Sequence, residues 1–470
     1  MSLTAPTAPT QLDPPAPSWI EKRGIDHIPA TERTGSVRSL MLTWAGCVLN
    51  VTTLTYGALL IAFGLNIWQA LGAIALGNLT WLVTGLLSLP GPATGSTAFI
   101  GSRAAFGRNG NRLPAIFNWL MQVGYETVDL SIMVLSAKVL LAKAGLPIGN
   151  GSTAVILLVM ALLQSLLPII GHAAITRALR VLAIPFVVLF AVMAGLTAHT
   201  LGSAPVTAPA SWQVFLAGIA LSASASGLGW TANASDYSRY LPAQTSRIRI
   251  VLGVALGGGI PQIALMALGA LVATLVPTAS DPISGLPTAF PAWFLVPYLL
   301  AVIVQMIAVN AFDLYSSGVT LQAIGLKVSR WQAIALDAVV ATVLAAFIVY
   351  SASFNTVVTS FLLFMIIWFA PWAAIYSVDF LLRRGRYDIE SVVEPRGGRY
   401  HRPRGLHSPG LIAQFAGMAA AALCIDTSIW TGPVAAALGG ADLSVPAGAL
   451  IGGLVYFLLA RTTVPAEHNS

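Results

Sequence analysis

The chain has 470 residues, of which 56% are hydrophobic and only 9% charged; a soluble globular chain carries about 25% charged residues. With a mean hydropathy of +0.80, it has too few charges to cover a water-soluble enzyme of this length, and disorder is excluded for most of the chain. The net charge of +7 would suggest nucleic acid in a soluble protein. Here the placement of the charge matters more, and no nucleic-acid partner is expected.

The apolar residues come in blocks of about twenty, enough to cross about 30 Å of hydrocarbon. They lack the alternation of a membrane barrel. The expected fold class is therefore all-α, a polytopic membrane protein with the lipid bilayer as its surroundings. In chain order the spans are 40–64, 67–89, 113–141, 152–171 and 178–200, then 212–234, 250–276, 291–320, 331–351 and 356–382, then 410–431 and 445–461. The start, MSLTAPTAPTQLDPPAPSW, is rich in Pro, Thr and Ala and reads as a cytosolic tail rather than a signal peptide. Twelve spans place both termini on one side. With that side cytoplasmic, every Lys and Arg except Lys138 and Lys143 falls inside or at an inner span end, as the positive-inside rule requires. The expected location is the cell membrane. The organisation is a tail at 1–37, spans 1–5 at 38–200, spans 6–10 at 201–384, an Arg-rich cytosolic loop at 385–408, spans 11–12 at 409–462 and a second tail at 463–470. Cys47 and Cys424 lie in apolar blocks and read as small buried hydrophobes, with no disulfide framework or metal cluster.

Ionisable groups at membrane depth cost at least ~2.5 kcal/mol for Asp, so the exceptions are informative. Span 3 carries Asn118, Gln122, Glu126 and Asp129 at helical spacing, with Tyr125 beside them. Such a stripe must face the bundle or a wet cavity; the competing explanation is interhelical hydrogen bonding alone. Span 6 contains Ser222, Ser224, Ser226, Gly227 and Gly229 before Trp230, a poor continuous helix. It is expected to unwind at the midplane and offer backbone groups to a ligand; the alternative is close packing of small residues. Span 8 is interrupted by Gln305, Asn310 and Asp313, and span 1 by Gly46, Asn50, Thr52, Thr53 and Gly57. Interrupted helices in corresponding positions, five spans apart, point to an inverted-repeat transporter. Asp236 and Arg239 read as a structural ion pair. Asp337 and Asp426 are single acids without an evident partner, expected to face the bundle.

The residues also carry a resemblance. The segments IEKRGIDHIPATER, GPATGSTAFIGSRAAFGRNGN with NWLMQVGYETVD, GWTANASDYSRYLP, NAFDLYSSGVTLQAIGLKVSR and APWAAIYSVDFLLRRGRYD resemble, in order, the nucleobase:cation symporter-1 family, in its purine–cytosine permease branch. The resemblance implies twelve spans, with spans 1–5 and 6–10 as inverted repeats and two further helices, and uptake of a nucleobase or related heterocycle with a cation. It places Gln122 as a hydrogen-bonding amide, Tyr125 as a stacking ring where an indole is more usual, and Asn310 as the span 8 amide that reads the ring edge. The usual span 6 aromatic position falls at Gly227, with Trp230 one turn later as the wall.

The same family pattern implies a sodium site between span 1 carbonyls, around Gly46 and Asn50, and span 8 hydroxyls. Upstream of Asn310 the chain reads IVQMIAV, without Ser or Thr. Glu126 and Asp313 are carboxyls beside the proposed site, and burial disfavours the charged form of a carboxyl. Proton symport is therefore expected, with sodium as the alternative and no resident cofactor. The reading is a secondary active importer of cytosine or purines. A vitamin-precursor ring such as hydroxymethylpyrimidine is the alternative ligand. An intramembrane enzyme is the different-class alternative, and the six histidines lie outside the span interiors. No filter loop of a channel is found.

Overall fold

The computed structural model describes residues 24–198, 207–351, 354–393, 398–400, 402–427 and 430–466. Residues 1–23 and 467–470 of the expected tails lie outside the described residues. Helix α1 (Val37–Val48) begins where the Ser36 hydroxyl accepts the Ser39 N–H at 3.2 Å. It meets α2 (Val51–Ala62) at a 56° bend. Asn50 makes that bend tolerable. Its Oδ1 accepts the Thr53 N–H at 2.8 Å and its Nδ2 donates to the Cys47 carbonyl at 2.8 Å. One amide thus ends one half-helix and starts the next.

The second span runs through α3 (Ile67–Asn78) and α4 (Trp81–Leu87), with Asn66 and Gln69 forming a capping box at its start. The third element, α5 (Arg112–Lys143), is followed by α6 (Asn150–Ile170) and α7 (His172–Ala198). Next, α8 (Trp212–Ala225) stops at Ser226, whose φ of −113° and ψ of −136° are not helical. Short turns at Gly227–Trp230, Thr231–Asn233 and Ala234–Ser238 complete that span. The remainder is α9 (Arg247–Leu275), α10 (Leu295–Ile324), α11 (Arg330–Ser351), α12 (Phe354–Leu382), α13 (Ser408–Cys424) and α14 (Ser444–Ala460).

By length and apolarity, eight helical stretches among the described residues are long enough to cross a membrane, or nine if the α1–α2 pair is one span. The architecture is thus an all-α, multi-pass membrane fold. The lower count than the twelve expected has a physical source. The polar stripe of α5 lowers its hydropathy, and α13 and α14 are 17 residues each, about 25 Å of helix at 1.5 Å per residue.

Close helix contact depends on glycine at one crossing. A Cβ on Gly57 would lie 1.8 Å from the Met266 carbonyl oxygen, and one on Gly269 would lie 1.9 Å from that of Leu54. Backbone therefore meets backbone where α2 crosses α9. Polar groups hold α5 against α10 and α11. Asn118 donates to the Thr320 hydroxyl at 2.9 Å.

Asp337, expected to be without a partner, accepts from the Trp119 indole at 2.5 Å and from the Ser317 hydroxyl at 2.6 Å. It is a three-helix clasp, hidden from sequence because its partners are about 20 and 200 positions away. Asp426 is also corrected. Helix α13 ends at Cys424, so Asp426 lies beyond the span in a bridged turn, where it accepts from the Thr431 hydroxyl at 2.6 Å and pairs with the Thr431 backbone. Asp236 accepts the Ala98 N–H at 2.9 Å, while Arg239 donates to the Tyr315 hydroxyl at 2.8 Å and the Gly24 carbonyl at 3.0 Å. Both residues are buried fastenings of the span 6 end.

At the end of α12, Arg383 places its Nε 2.9 Å from each Asp379 oxygen, both side chains fully buried. The Tyr456 hydroxyl of α14 donates to Asp379 at 2.6 Å, and Arg383 also donates to the Ala104 carbonyl at 3.1 Å. Arg383 is therefore a structural pin. Arg383→Met leaves Asp379 without its charge partner, a loss of about 3–5 kcal/mol. The thermal unfolding midpoint of detergent-purified protein is expected to fall, and an unchanged midpoint would contradict the pin.

Candidate functional site

The two interrupted spans and α5 enclose a small cavity. Asn50, Thr53 and Tyr56 contribute from the first span, Tyr125 and Asp129 from α5, Trp230 from the span 6 turn, and Asp313 from α10. The walls follow from local structure. The bend at Asn50 turns its first helical residues inward, and the break at Ser226 lets Trp230 leave the helix axis.

The Tyr125 and Trp230 rings are parallel within 5°, with centroids 6.2 Å apart. A flat ring stacked on both faces needs about 7 Å, two carbon contacts of about 3.5 Å. The centroid separation lies within the range of offset-stacked aromatic pairs, so a planar guest enters only if the two rings move apart. Each plate is backed by edge contacts: Tyr125 by Phe361 at 5.3 Å, Trp230 by Phe312 at 5.6 Å and by Trp44 at 6.0 Å.

One turn along, Gln122 donates to the Asn233 amide oxygen at 2.9 Å. The pairs 125/230 and 122/233 step in opposite directions along the two segments, so α5 and the span 6 turn run antiparallel here. Gln122 Oε1 and Asn233 Nδ2 remain buried without a hydrogen-bond partner, an acceptor and a donor on one amide pair. Asn233 was not anticipated. Its spacing of three from Trp230 in WTANASD was the available signal.

Of the other expected site residues, Asn310 is tied to the scaffold. Its Nδ2 donates to the Gln164 amide oxygen of α6 at 2.5 Å and to the Glu126 carbonyl at 3.3 Å. It does not line the cavity. Gly227 is a packing position, since a Cβ there would lie 2.2 Å from the Trp81 backbone nitrogen. Gly46 is another, 2.4 Å by the same measure from the Leu179 carbonyl oxygen. Glu126 is fully buried, near Asp313, Asp129, Asp337 and Ser317. Asp129, read in sequence only as part of the stripe, reaches the cavity together with Asp313.

The span 6 break occurs where expected, and two of its carbonyls are already taken by other helices. Gln262 donates to the Ala225 carbonyl at 2.8 Å and Thr84 to that of Gly227 at 2.6 Å. In the first span, Gln305 donates to the Leu49 carbonyl at 3.1 Å. Among the described residues, no group of three or more His, Cys, Asp or Glu is placed to hold a metal ion.

A bundle with two broken spans around a buried, aromatic-walled cavity defines a membrane transporter. The comparisons then place the chain. The family described as permease for cytosine/purines, uracil, thiamine, allantoin matches residues 27–448, and the chain belongs to it. It is a secondary active transporter of this family. The putative purine-cytosine permease YxlA of Bacillus subtilis is 29% identical over 463 residues, 94% of this chain and 96% of that protein. The purine-cytosine permease fcyB of Emericella nidulans is 25% identical over 471 residues, 94% of this chain and 88% of that one. Among solved structures, Mhp1, a nucleobase-cation-symport-1 family transporter in a closed conformation with bromovinylhydantoin bound, superposes with a TM-score of 0.74 at 17% identity, covering 96% of this chain and 99% of that one. That likeness shows the fold.

The Gln122–Asn233 pair yields a test by double-mutant cycle. Gln122→Ala and Asn233→Ala are each expected to reduce ligand affinity. Together they should fall short of additivity by about 0.5–3 kcal/mol. Strict additivity of the measured binding free energies would show that the two amides act apart.

Proposed function

We propose that the chain imports a nucleobase, cytosine or a purine, by proton symport, with alternating access around the Tyr125–Trp230 cavity. The observation that carries this reading is the parallel Tyr125–Trp230 pair, two aromatic faces that line a buried cavity. Stacking on such plates contributes ~1–3 kcal/mol per base. The Gln122–Asn233 pair lies one turn beyond those rings, outside the cavity lining, and backs the site, and the names of the two relatives agree with such a ligand. Asn310, one bond from α6 and one from α5, acts as the joint behind that site.

Proton coupling is favoured by what surrounds the break in the first span. A hard cation needs several oxygen ligands. Here the Leu49 carbonyl already accepts from Gln305, and the Thr52 hydroxyl is directed at the Met306 sulfur at 3.7 Å. Glu126 and Asp313 are the groups assigned to carry the proton, with Gly46 and Asn50 shaping the bend rather than binding an ion. Counting α5, α13 and α14 as spans gives twelve. Spans 1–5 and 6–10 are the two repeats, 38–200 and 201–384, with 409–462 added after the basic loop. Both termini face the cytoplasm of the plasma membrane, as the distribution of Lys and Arg supports.

Reconstituted proteoliposomes, acidic outside and free of sodium, are expected to accumulate radiolabelled cytosine, with purines competing. Strict dependence on sodium would remove proton coupling. Failure of every nucleobase to be taken up or to compete would remove the substrate class. Reporter fusions at each terminus are expected to be active only in the cytoplasm, and extracytoplasmic activity of either would overturn the topology.

A further inference from the structure

The clasp around Asp337 stands apart from the central cavity and holds a second carboxyl. Ser317 of α10 donates to Asp337 Oδ2 at 2.6 Å, and the Trp119 indole of α5 donates to Oδ1 at 2.5 Å. Glu126 of α5 lies beside the same serine hydroxyl. Ser317, Asp337 and Glu126 are all fully buried. Joining three helices takes only the first two bonds, so the second acid calls for its own account.

A serine hydroxyl has one proton to donate. The Leu314 carbonyl is 3.4 Å away and Asp337 only 2.6 Å, so the proton goes to Asp337. Towards Glu126 the same oxygen can only accept, and Glu126 completes that contact when it brings a proton of its own. Asp337, with a donor aimed at each oxygen, is arranged as the anion. Acid, hydroxyl and carboxylate thus stand in series. The Glu126 O–H bond breaks as its proton moves to Ser317 Oγ, and the Ser317 proton moves to Asp337 Oδ2. Glu126 is left as the carboxylate and Asp337 as the neutral acid, with one proton carried across.

The series has a direction. Trp119 and Asp337 each lie seven residues into helices that start at Arg112 and Arg330, and Ser317 lies seven before the Ile324 end of α10. All three sit about 10 Å from one end of the bundle, at 1.5 Å per residue, the end that carries Arg112, Lys327 and Arg330. Glu126 is two turns deeper on α5, near Asp313, which lines the cavity. The other acid near Glu126 is Asp129. The bases of α5 stand at its ends, Arg112, Lys138 and Lys143, and α6, which also packs on α11, has no ionisable side chain. Arg330 of α11 itself is directed at the Pro168 and Ile169 carbonyls, at 2.5 and 2.7 Å.

We propose that Ser317 and Asp337 form a proton relay, which takes the coupling proton from Glu126 towards the cytoplasm in addition to joining the helices. This rests on the reading of the chain as a proton symporter with its basic helix ends inside. Because Asp337 is buried here, it passes its proton on only when the inner side opens, which ties release to the change of face.

The experiment compares exchange with net uptake in sodium-free proteoliposomes of the full-length protein. Exchange of labelled for unlabelled cytosine without a pH gradient cycles the loaded carrier and needs no proton release. Accumulation driven by an acidic exterior does need it. Asp337→Asn keeps an acceptor oxygen but cannot take up a proton, and it is expected to lose accumulation by at least about tenfold, the low side of a lost proton-transfer group, while exchange continues. Asp337→Glu is expected to restore accumulation. Ser317→Ala is expected to show the same split as Asp337→Asn, and Ser317→Thr, which keeps the hydroxyl, is not. Full accumulation by Asp337→Asn or Ser317→Ala overturns the relay. Loss of exchange together with accumulation in both variants overturns it as well, since a purely structural clasp behaves that way. Ser317→Ala, which removes a single oxygen, decides the matter if Asp337→Asn does not fold. Failure of the unaltered protein to accumulate cytosine without sodium, while accumulating it with sodium, removes the proton-symport reading itself and is seen before any variant is compared.

Discussion

Inside a bilayer, backbone N–H and C=O groups have no water to turn to, so a helix can be broken there only if side chains satisfy the freed groups. The rest of this structure is arranged around that constraint. The first span breaks at Leu49 and Asn50, and the sixth at Ser226. At each break carbonyls are covered by amides or hydroxyls: Gln305 on Leu49 and Asn50 on Cys47 at the first, Gln262 on Ala225 and Thr84 on Gly227 at the second. The polar residues at membrane depth are thus divided. Most of the amides support the breaks and helix joints, and the acids and aromatic rings are left to face the cavity.

That division also accounts for the close helix packing. Covering an interior carbonyl requires the donor's helix to come near, and the glycines at the α2–α9 crossing allow backbone to approach backbone. Trp81 illustrates the linkage. Its indole orients Gln262, which holds the Ala225 carbonyl, while its own backbone lies against Gly227. A change in the tilt of this helix pair would disturb the break and, through it, the position of Trp230.

Much of this was legible in sequence. The stripe Asn118, Gln122, Glu126, Asp129 does face inward, because the cost of exposing it to lipid leaves no other orientation. The breaks at Asn50 and Ser226 were readable from residues that cap or weaken helices. What could not be read was pairing. Asn310 and Gln164 meet across 146 positions, and Gln122 and Asn233 across 111. A sequence shows that Asn310 needs a partner but not which one, so a scaffold joint and a ligand contact look alike. Gly227 presents the same ambiguity. The missing side chain reads equally as room for a ligand or room for a helix, and the structure places the Trp81 backbone there. Asp337 and Asp426 escaped for a simpler reason, since an acid's partners lie on other elements or beyond a helix end fixed only by the fold.

The cavity couples shape to charge in a way that bears on transport. The Tyr125 and Trp230 rings are parallel with centroids 6.2 Å apart, so a planar guest enters between them only as they separate and the filled site closes around one ring. A buried unpaired charge opposes closure. Under the proposed proton coupling, Asp313 favours the closed state once a proton neutralises it. Stacking favours a flat guest of any kind, and the acids impose a second condition on the same closing movement. A transporter that must change face only with its proper load needs that combination, because a ligand shifts a conformational equilibrium only by its differential affinity for the two states.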